Sequence, residues 1–257
     1  MSAAGIQAGA LLELTGVTRR FGGLKAVDDV TLSVPQGEVI GLIGPNGAGK
    51  TTLVNVITGV HPASAGTIRF AGQDITRLPP WRAARLGIAR TFQIVQPFPE
   101  MTVLENVAAA AMFAGGLRYG REATREAREH LDFVGLGEMA DRRASALTLA
   151  MRKRLEFAKG LAMHPKLLLL DEVNAGLNAT EVDEALALIR AIAARGVTIL
   201  IIEHLMKVVL SVCTRIVVLH HGELIAQGES AAIVKDPRVI QAYLGRRYAR
   251  TAGGPDV

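Results

Sequence analysis

Eight consecutive residues, Gly44-Pro45-Asn46-Gly47-Ala48-Gly49-Lys50-Thr51, bring three glycines, one lysine and one hydroxyl together at fixed spacing. They stand between the apolar run 39–43 and an apolar, helix-patterned stretch over 51–58. Glycines at those positions let backbone N–H groups turn inward around phosphate oxygens, and a helix starting near Gly49 adds the positive end of its dipole. Lys50 then places an ammonium between the β- and γ-phosphates of a nucleotide, and Thr51 offers a hydroxyl to Mg²⁺. A second constellation closes the leucine run 167–170 with two acids, Asp171 and Glu172. Successive strand residues point to opposite faces, so the two carboxylates meet different surroundings and suit different tasks. Asp171 is expected to hold Mg²⁺ through its water shell, and Glu172 to polarise an attacking water.

The elements that must carry these residues follow from the apolar pattern. Short alternating runs over 11–34 predict antiparallel strands, with turns at Gly16 and at Gly22-Gly23. The continuous apolar run 39–43 reads as a buried parallel strand. Residues 66–70 predict another strand, and Pro79-Pro80 opens a helix holding Trp81, the single tryptophan, expected to pack beneath it. From 101 to 143 the chain is rich in Ala and Arg with helical periodicity, and interrupts the αβ rhythm as an inserted helical segment. Strand, helix, strand and strand are then predicted at 167–170, 181–194, 197–202 and 216–219. Alternation of aliphatic strands with helices implies a mostly parallel sheet covered on both faces. Residues 1–10 and 246–257 read as flexible tails.

Composition narrows the class. Hydrophobic residues make up 49% of the 257, enough for a sizeable core, and aromatics only 4%, so that core must be aliphatic. The net charge of +5 is spread through the chain rather than blocked, which favours a solvated surface over a nucleic-acid face. With Cys213 the lone cysteine, no disulfide framework forms within the chain. Cys213 lies in an apolar run and is expected to be an inert core residue. No basic residue precedes the apolar start, arguing against a secretory signal, and no apolar run reaches the length of a membrane span. If the protein acts at a membrane, another chain must cross it.

Many nucleotide hydrolases share the loop and the acid pair, and further residues narrow the resemblance. Gln93, within Thr91-Phe92-Gln93, looks like the Q-loop glutamine of ABC ATPases, and His204, after Ile201-Ile202-Glu203, like their switch histidine. Ala175-Gly176-Leu177-Asn178 resembles the D-loop. Phe21 stands where the family places an aromatic that stacks on adenine. The resemblance runs from about Leu11 to Gly245. It is nearest to ATP-binding subunits of branched-chain amino acid importers, through Gly87-Ile88-Ala89-Arg90-Thr91-Phe92-Gln93, through residues 98–107, and through Val239-Ile240-Gln241-Ala242-Tyr243-Leu244-Gly245. It implies a P-loop NTPase of the ABC type: one domain over 11–245, with a mostly parallel core, an antiparallel β subdomain and a helical insertion at about 98–163.

The resemblance also implies a site and partners. ATP would be bound by Phe21 and the loop Gly44, Pro45, Asn46, Gly47, Ala48, Gly49, Lys50, Thr51 and Thr52. Mg²⁺ would be held by Thr51, Gln93 and Asp171, and hydrolysis served by Glu172, His204 and Gln93. The expected partners are transmembrane permease subunits and a second ATPase, a different chain favoured over a second copy, at the cytoplasmic face of the inner membrane. No nucleic acid is expected. One motif departs from the family. Where Leu-Ser-Gly-Gly-Gln is usual, this chain has Leu147-Thr148-Leu149-Ala150-Met151. Thr148 keeps a hydroxyl for the ATP of a facing subunit and caps the next helix. Leu149 and Ala150 replace glycines that bring the backbone close to phosphate. Two other readings stay open: a non-transport ABC ATPase acting on nucleic acid, and an ATP-binding regulatory subunit with weak turnover.

Overall fold

The computed structural model describes residues 9–91, 97–118, 120–203 and 205–244. The chain divides into two compact units, Met1–Arg77 with Leu200–Val257, and Leu78–Ile199.

The first unit opens with β1 (Ala10–Phe21), β2 (Leu24–Pro35), β3 (Val39–Ile43), α1 (Lys50–Ile57), β4 (Ala65–Phe70) and β5 (Gln73–Asp74). In the second unit α2 (Pro80–Arg85), β6 (Ile88–Arg90), α3 (Val103–Phe113) and α4 (Arg121–Phe133) lead to α5 (Leu149–Ala162), β7 (Leu167–Asp171) and α6 (Ala179–Ala193). Strand β8 (Thr198–Ile202) starts there, and the chain finishes in the first unit with α7 (Met206–Val212), β9 (Arg215–His220), β10 (Glu223–Glu229), α8 (Ser230–Ile233) and α9 (Pro237–Leu244).

Within the first unit, β2-β1-β4-β5 form an antiparallel sheet. Strands β1 and β2 meet at the Gly22-Gly23 turn, pairing Phe21 with Leu24. Gly16 does not turn the chain as its composition signalled. At φ +60° it forms a bulge inside β1, where the register slips between Leu14 and Val17. The other sheet of this unit places β3 parallel to β9 and β10 antiparallel to β9. The run Val-Ile-Gly-Leu-Ile of β3 is buried throughout, as a strand covered on both faces requires.

In the second unit β6 pairs in parallel with β7, whose leucines 167–170 are wholly inaccessible. Burying each such side chain favours folding by about 2 kcal/mol, so this strand is a rigid base for whatever follows it. The Ala- and Arg-rich segment forms α3 and α4, separated at Gly115-Gly116, and both contact α5. Helix α3 begins in a capping box between Thr102 and Glu105. Trp81 is not packed beneath α2: 44% of it is exposed, and the Arg82 and Arg85 guanidinium groups lie 5.0 and 5.5 Å from its ring. With six residues, α2 is too short to bury one face around so large a side chain.

Candidate functional site

Residues 44–51 all lie in the first unit, in the loop after β3 and the first turn of α1. Two of the glycines are there for geometric reasons. Gly49 is the N-cap of α1 at φ +101°, and a Cβ on it would stand 2.3 Å from the Ala26 carbonyl oxygen. Gly44 has φ +154°, and a Cβ there would come within 2.2 Å of the Leu219 oxygen. The loop is thus pressed against its neighbours at Gly44 and Gly49, with no room for a side chain at either. It is also bonded in place: the Ala48 N–H donates to Pro45, the Gly222 N–H to Ala48 and the Asp28 N–H to Gly222. A loop pinned in this way offers an anion N–H groups already in position.

Lys50 is buried at the start of α1, and its ammonium folds back on the loop, donating to the carbonyls of Gly44 at 2.7 Å and Pro45 at 3.1 Å. Thr51 is exposed and Thr52 half-buried in the same first turn. No side chain caps this helix and its first turn holds no acid, which leaves the dipole end suited to an outside anion. These features fit a nucleotide phosphate chain.

Two aromatic residues complete the first unit's part. Phe21 ends β1 with 41% of its surface exposed, and the Arg19 guanidinium lies 4.4 Å from its ring centroid. His61 meets the ring edge-on at 5.3 Å. An exposed ring held by a cation on one side retains an apolar surface for a base. Tyr243 of α9 engages the backbone of Gly44. Burial pushes its phenol pKa up, and that hydrogen bond pulls the other way.

The acids lie in the second unit. Asp171 ends β7 with 3% exposure, and its Oδ2 accepts from the Arg90 guanidinium at 2.7 Å. Its N–H donates to the Thr91 hydroxyl at 3.3 Å. Glu172 is half-buried. The two carboxylates do have different surroundings, and more than strand alternation separates them. Glu172 leaves the strand at φ +46°, a left-handed conformation that costs an L-residue roughly 1–2 kcal/mol. Its carbonyl accepts from the Ala175 N–H, which closes a turn. Asp171 here, and Thr51 in the first unit, each carry the kind of hard oxygen that Mg²⁺ takes. Among the described residues no group of three or more His, Cys, Asp or Glu could cage a metal. Mg²⁺ needs none, since it binds through one or two protein oxygens with substrate phosphates and water.

Thr148 caps α5 as its type predicts, its hydroxyl accepting from the Met151 N–H at 3.4 Å. Leu149 is 48% exposed, and its Cδ2 lies 3.0 Å from where a Cβ on Gly176 would stand. Asn178 caps α6 in a capping box with Glu181. Gln93 and His204 lie outside the described residues. Arg90, Lys153 and Tyr243 were not singled out for their contacts in the sequence. Arg90 and Asp171 are far apart along the chain, and no local signal in the sequence pairs them.

A family profile described as ABC transporter matches residues 27–175, and another, branched-chain amino acid ATP-binding cassette transporter, matches residues 223–249. The chain is 43% identical over 249 residues to the high-affinity branched-chain amino acid transport ATP-binding protein BraF of Pseudomonas aeruginosa, covering 91% of this chain and 98% of that protein. It is 42% identical over 251 residues to the high-affinity branched-chain amino acid transport ATP-binding protein LivG of Escherichia coli, with the same coverage of 91% and 98%. It is similar to the solved ADP conformation of MJ1267, an ATP-binding cassette of an ABC transporter, at a TM-score of 0.85 and 34% identity, covering 93% of this chain and 100% of that one.

Proposed function

The chain belongs to the ABC transporter family, as an ATP-binding and ATP-hydrolysing subunit of the branched-chain amino acid type, and we propose that it powers import of branched-chain or related amino acids. The observation that carries this reading is the pinned loop 44–50, with the Lys50 ammonium at the uncapped start of α1. Backbone N–H groups of the loop and Lys50 bind the β- and γ-phosphates, with Thr51 and Thr52 at the helix start. Phe21 stacks on adenine. Thr51, Asp171 and Gln93 would hold Mg²⁺, which would supply positive charge to offset that of the phosphates. Glu172 accepts a hydrogen bond from water and orients it for attack on the γ-phosphorus. The bond to the β-γ bridging oxygen breaks, and ADP and phosphate leave. His204 stabilises the charge that develops on the γ-phosphate.

No helix among the described residues is long and apolar enough to cross a membrane. We assign the crossing to permease subunits, with this chain bound at their cytoplasmic face. A second ATPase subunit, a different chain in preference to a second copy, supplies the signature segment that faces this chain's nucleotide. Phe98 is the docking contact we favour for the permease. Its backbone is bonded to buried Asn106 in both directions, at 2.9 and 3.1 Å, while 58% of the residue is exposed. Reconstitution with permease, partner ATPase and a binding protein tests the reading. ATP-dependent leucine uptake is expected, lost in Lys50→Ala together with calorimetric ATP binding. Uptake without ATP, or ATP affinity unchanged in Lys50→Ala, contradicts it.

A further inference from the structure

Lys153 is 5% exposed, on α5 and one turn beyond its Thr148 cap. A buried ammonium is costly unless its protons are bonded. The Lys153 Nζ donates to the Val173 carbonyl at 2.7 Å and reaches the Glu172 carbonyl at 3.4 Å. It therefore bonds the main chain of the turn that carries Glu172, at the point where φ is +46°. Charge-assisted bonds of this kind are stronger than neutral ones and fix direction as well as distance. The helix that bears this lysine starts in the segment Thr148-Leu149-Ala150-Met151, which departs from the family pattern. Through Lys153 that helix and the Glu172 turn are tied directly, within one unit.

We propose that Lys153 is a positioning residue for Glu172. It clamps the left-handed turn after β7 so that the carboxylate is held where it orients water. The altered segment then keeps a task whatever it does toward a facing nucleotide, because its helix is the base from which the clamp is made. The inference rests on the reading of Glu172 as the group that polarises water. A lysine that merely satisfies buried carbonyls would affect stability and nucleotide affinity together. A clamp on Glu172 affects turnover alone.

The test is steady-state ATPase activity of the assembled transporter, with ATP affinity measured by calorimetry. Lys153→Met keeps the apolar stem and removes the ammonium. It is expected to lower kcat by roughly tenfold to a hundredfold, the scale of a misplaced reacting group, with KM for ATP and ATP affinity within about twofold of wild type. Lys153→Arg, which keeps a cation able to reach both carbonyls, is expected to recover most of kcat. If Lys153→Met fails to fold, Lys153→Gln replaces it, and the expectation is Arg well above Gln in kcat at equal affinity. Wild-type kcat in Lys153→Met, parallel losses of kcat and affinity, or equal kcat for the Arg and neutral variants overturns the proposal. Glu172→Gln, measured alongside, separates the two levels. If it is inactive while Lys153→Met is fully active, only the clamp fails. If it hydrolyses ATP at the wild-type rate, the reading beneath it fails.

Discussion

Arg90 and Asp171 form an ion pair of which 10% and 5% of the side chains are exposed. Removing one partner from a buried pair leaves a desolvated charge, at a cost of about 3–5 kcal/mol. Arg90→Met is therefore expected to lower the urea midpoint strongly. A midpoint equal to wild type would show that Asp171 is held by other groups. His130 gives a pH dependence. Burial holds its pKa below the ordinary value, outweighing the pull of Glu126, with His164 and Arg195 lowering it further. The unfolded chain then binds more protons than the folded one between the depressed pKa and the usual value of about 6.5. This contribution to stability is present above that value and is lost as the pH falls through the window. His130→Gln should flatten the fall of Tm with pH below about 6.5, and a slope identical to wild type would remove His130 from the account. Cys213 is buried with its thiol pushed up to about 12, so alkylation at neutral pH should require unfolding. Rapid labelling of the native protein would contradict that burial.

At the scale of elements, the start of α6 is closed by Asn178, whose side chain accepts from the Glu181 N–H while Glu181 accepts from the Asn178 N–H. Asn and Asp make that cap equally well, so Asn178→Asp should change stability little, whereas Asn178→Ala should cost about 1 kcal/mol in urea unfolding. Equal losses from both would mean that the side-chain oxygen is not what caps the helix. The aliphatic strands and the glycine loop were legible in the sequence because each rests on a local signal, a run of aliphatics or a fixed spacing of glycines, whereas β6, three residues long, and β10, polar and mostly unburied, carry no such run and were not predicted. Gly16 was misread as a turn, since composition does not distinguish a bulge from a reversal. Trp81 was misplaced because burial depends on what lies opposite, which no local pattern records. Lys153 was invisible as a clamp for the same reason: its partners are carbonyls, and every residue has one.

At the scale of the whole molecule, the chain is a hydrolase built to act with others. If Phe98 is the permease contact, Phe98→Asp should prevent co-purification with the permease and leave ATP affinity unchanged. Retained co-purification would move the docking surface elsewhere. The segment Leu147-Thr148-Leu149-Ala150-Met151 lacks the two glycines and the glutamine of the family pattern, and Leu149 is exposed. If that segment faces a partner's nucleotide, each charge-assisted donor it lacks is expected to cost on the order of a hundredfold in rate there. The central claim is that this chain's own Glu172 drives turnover. The direct measurement is the ATPase rate of the assembled transporter carrying Glu172→Gln in this subunit, with ATP binding followed by calorimetry. The account predicts intact ATP binding, loss of nearly all turnover and accumulation of a complex with ATP bound. Hydrolysis at the wild-type rate would contradict it.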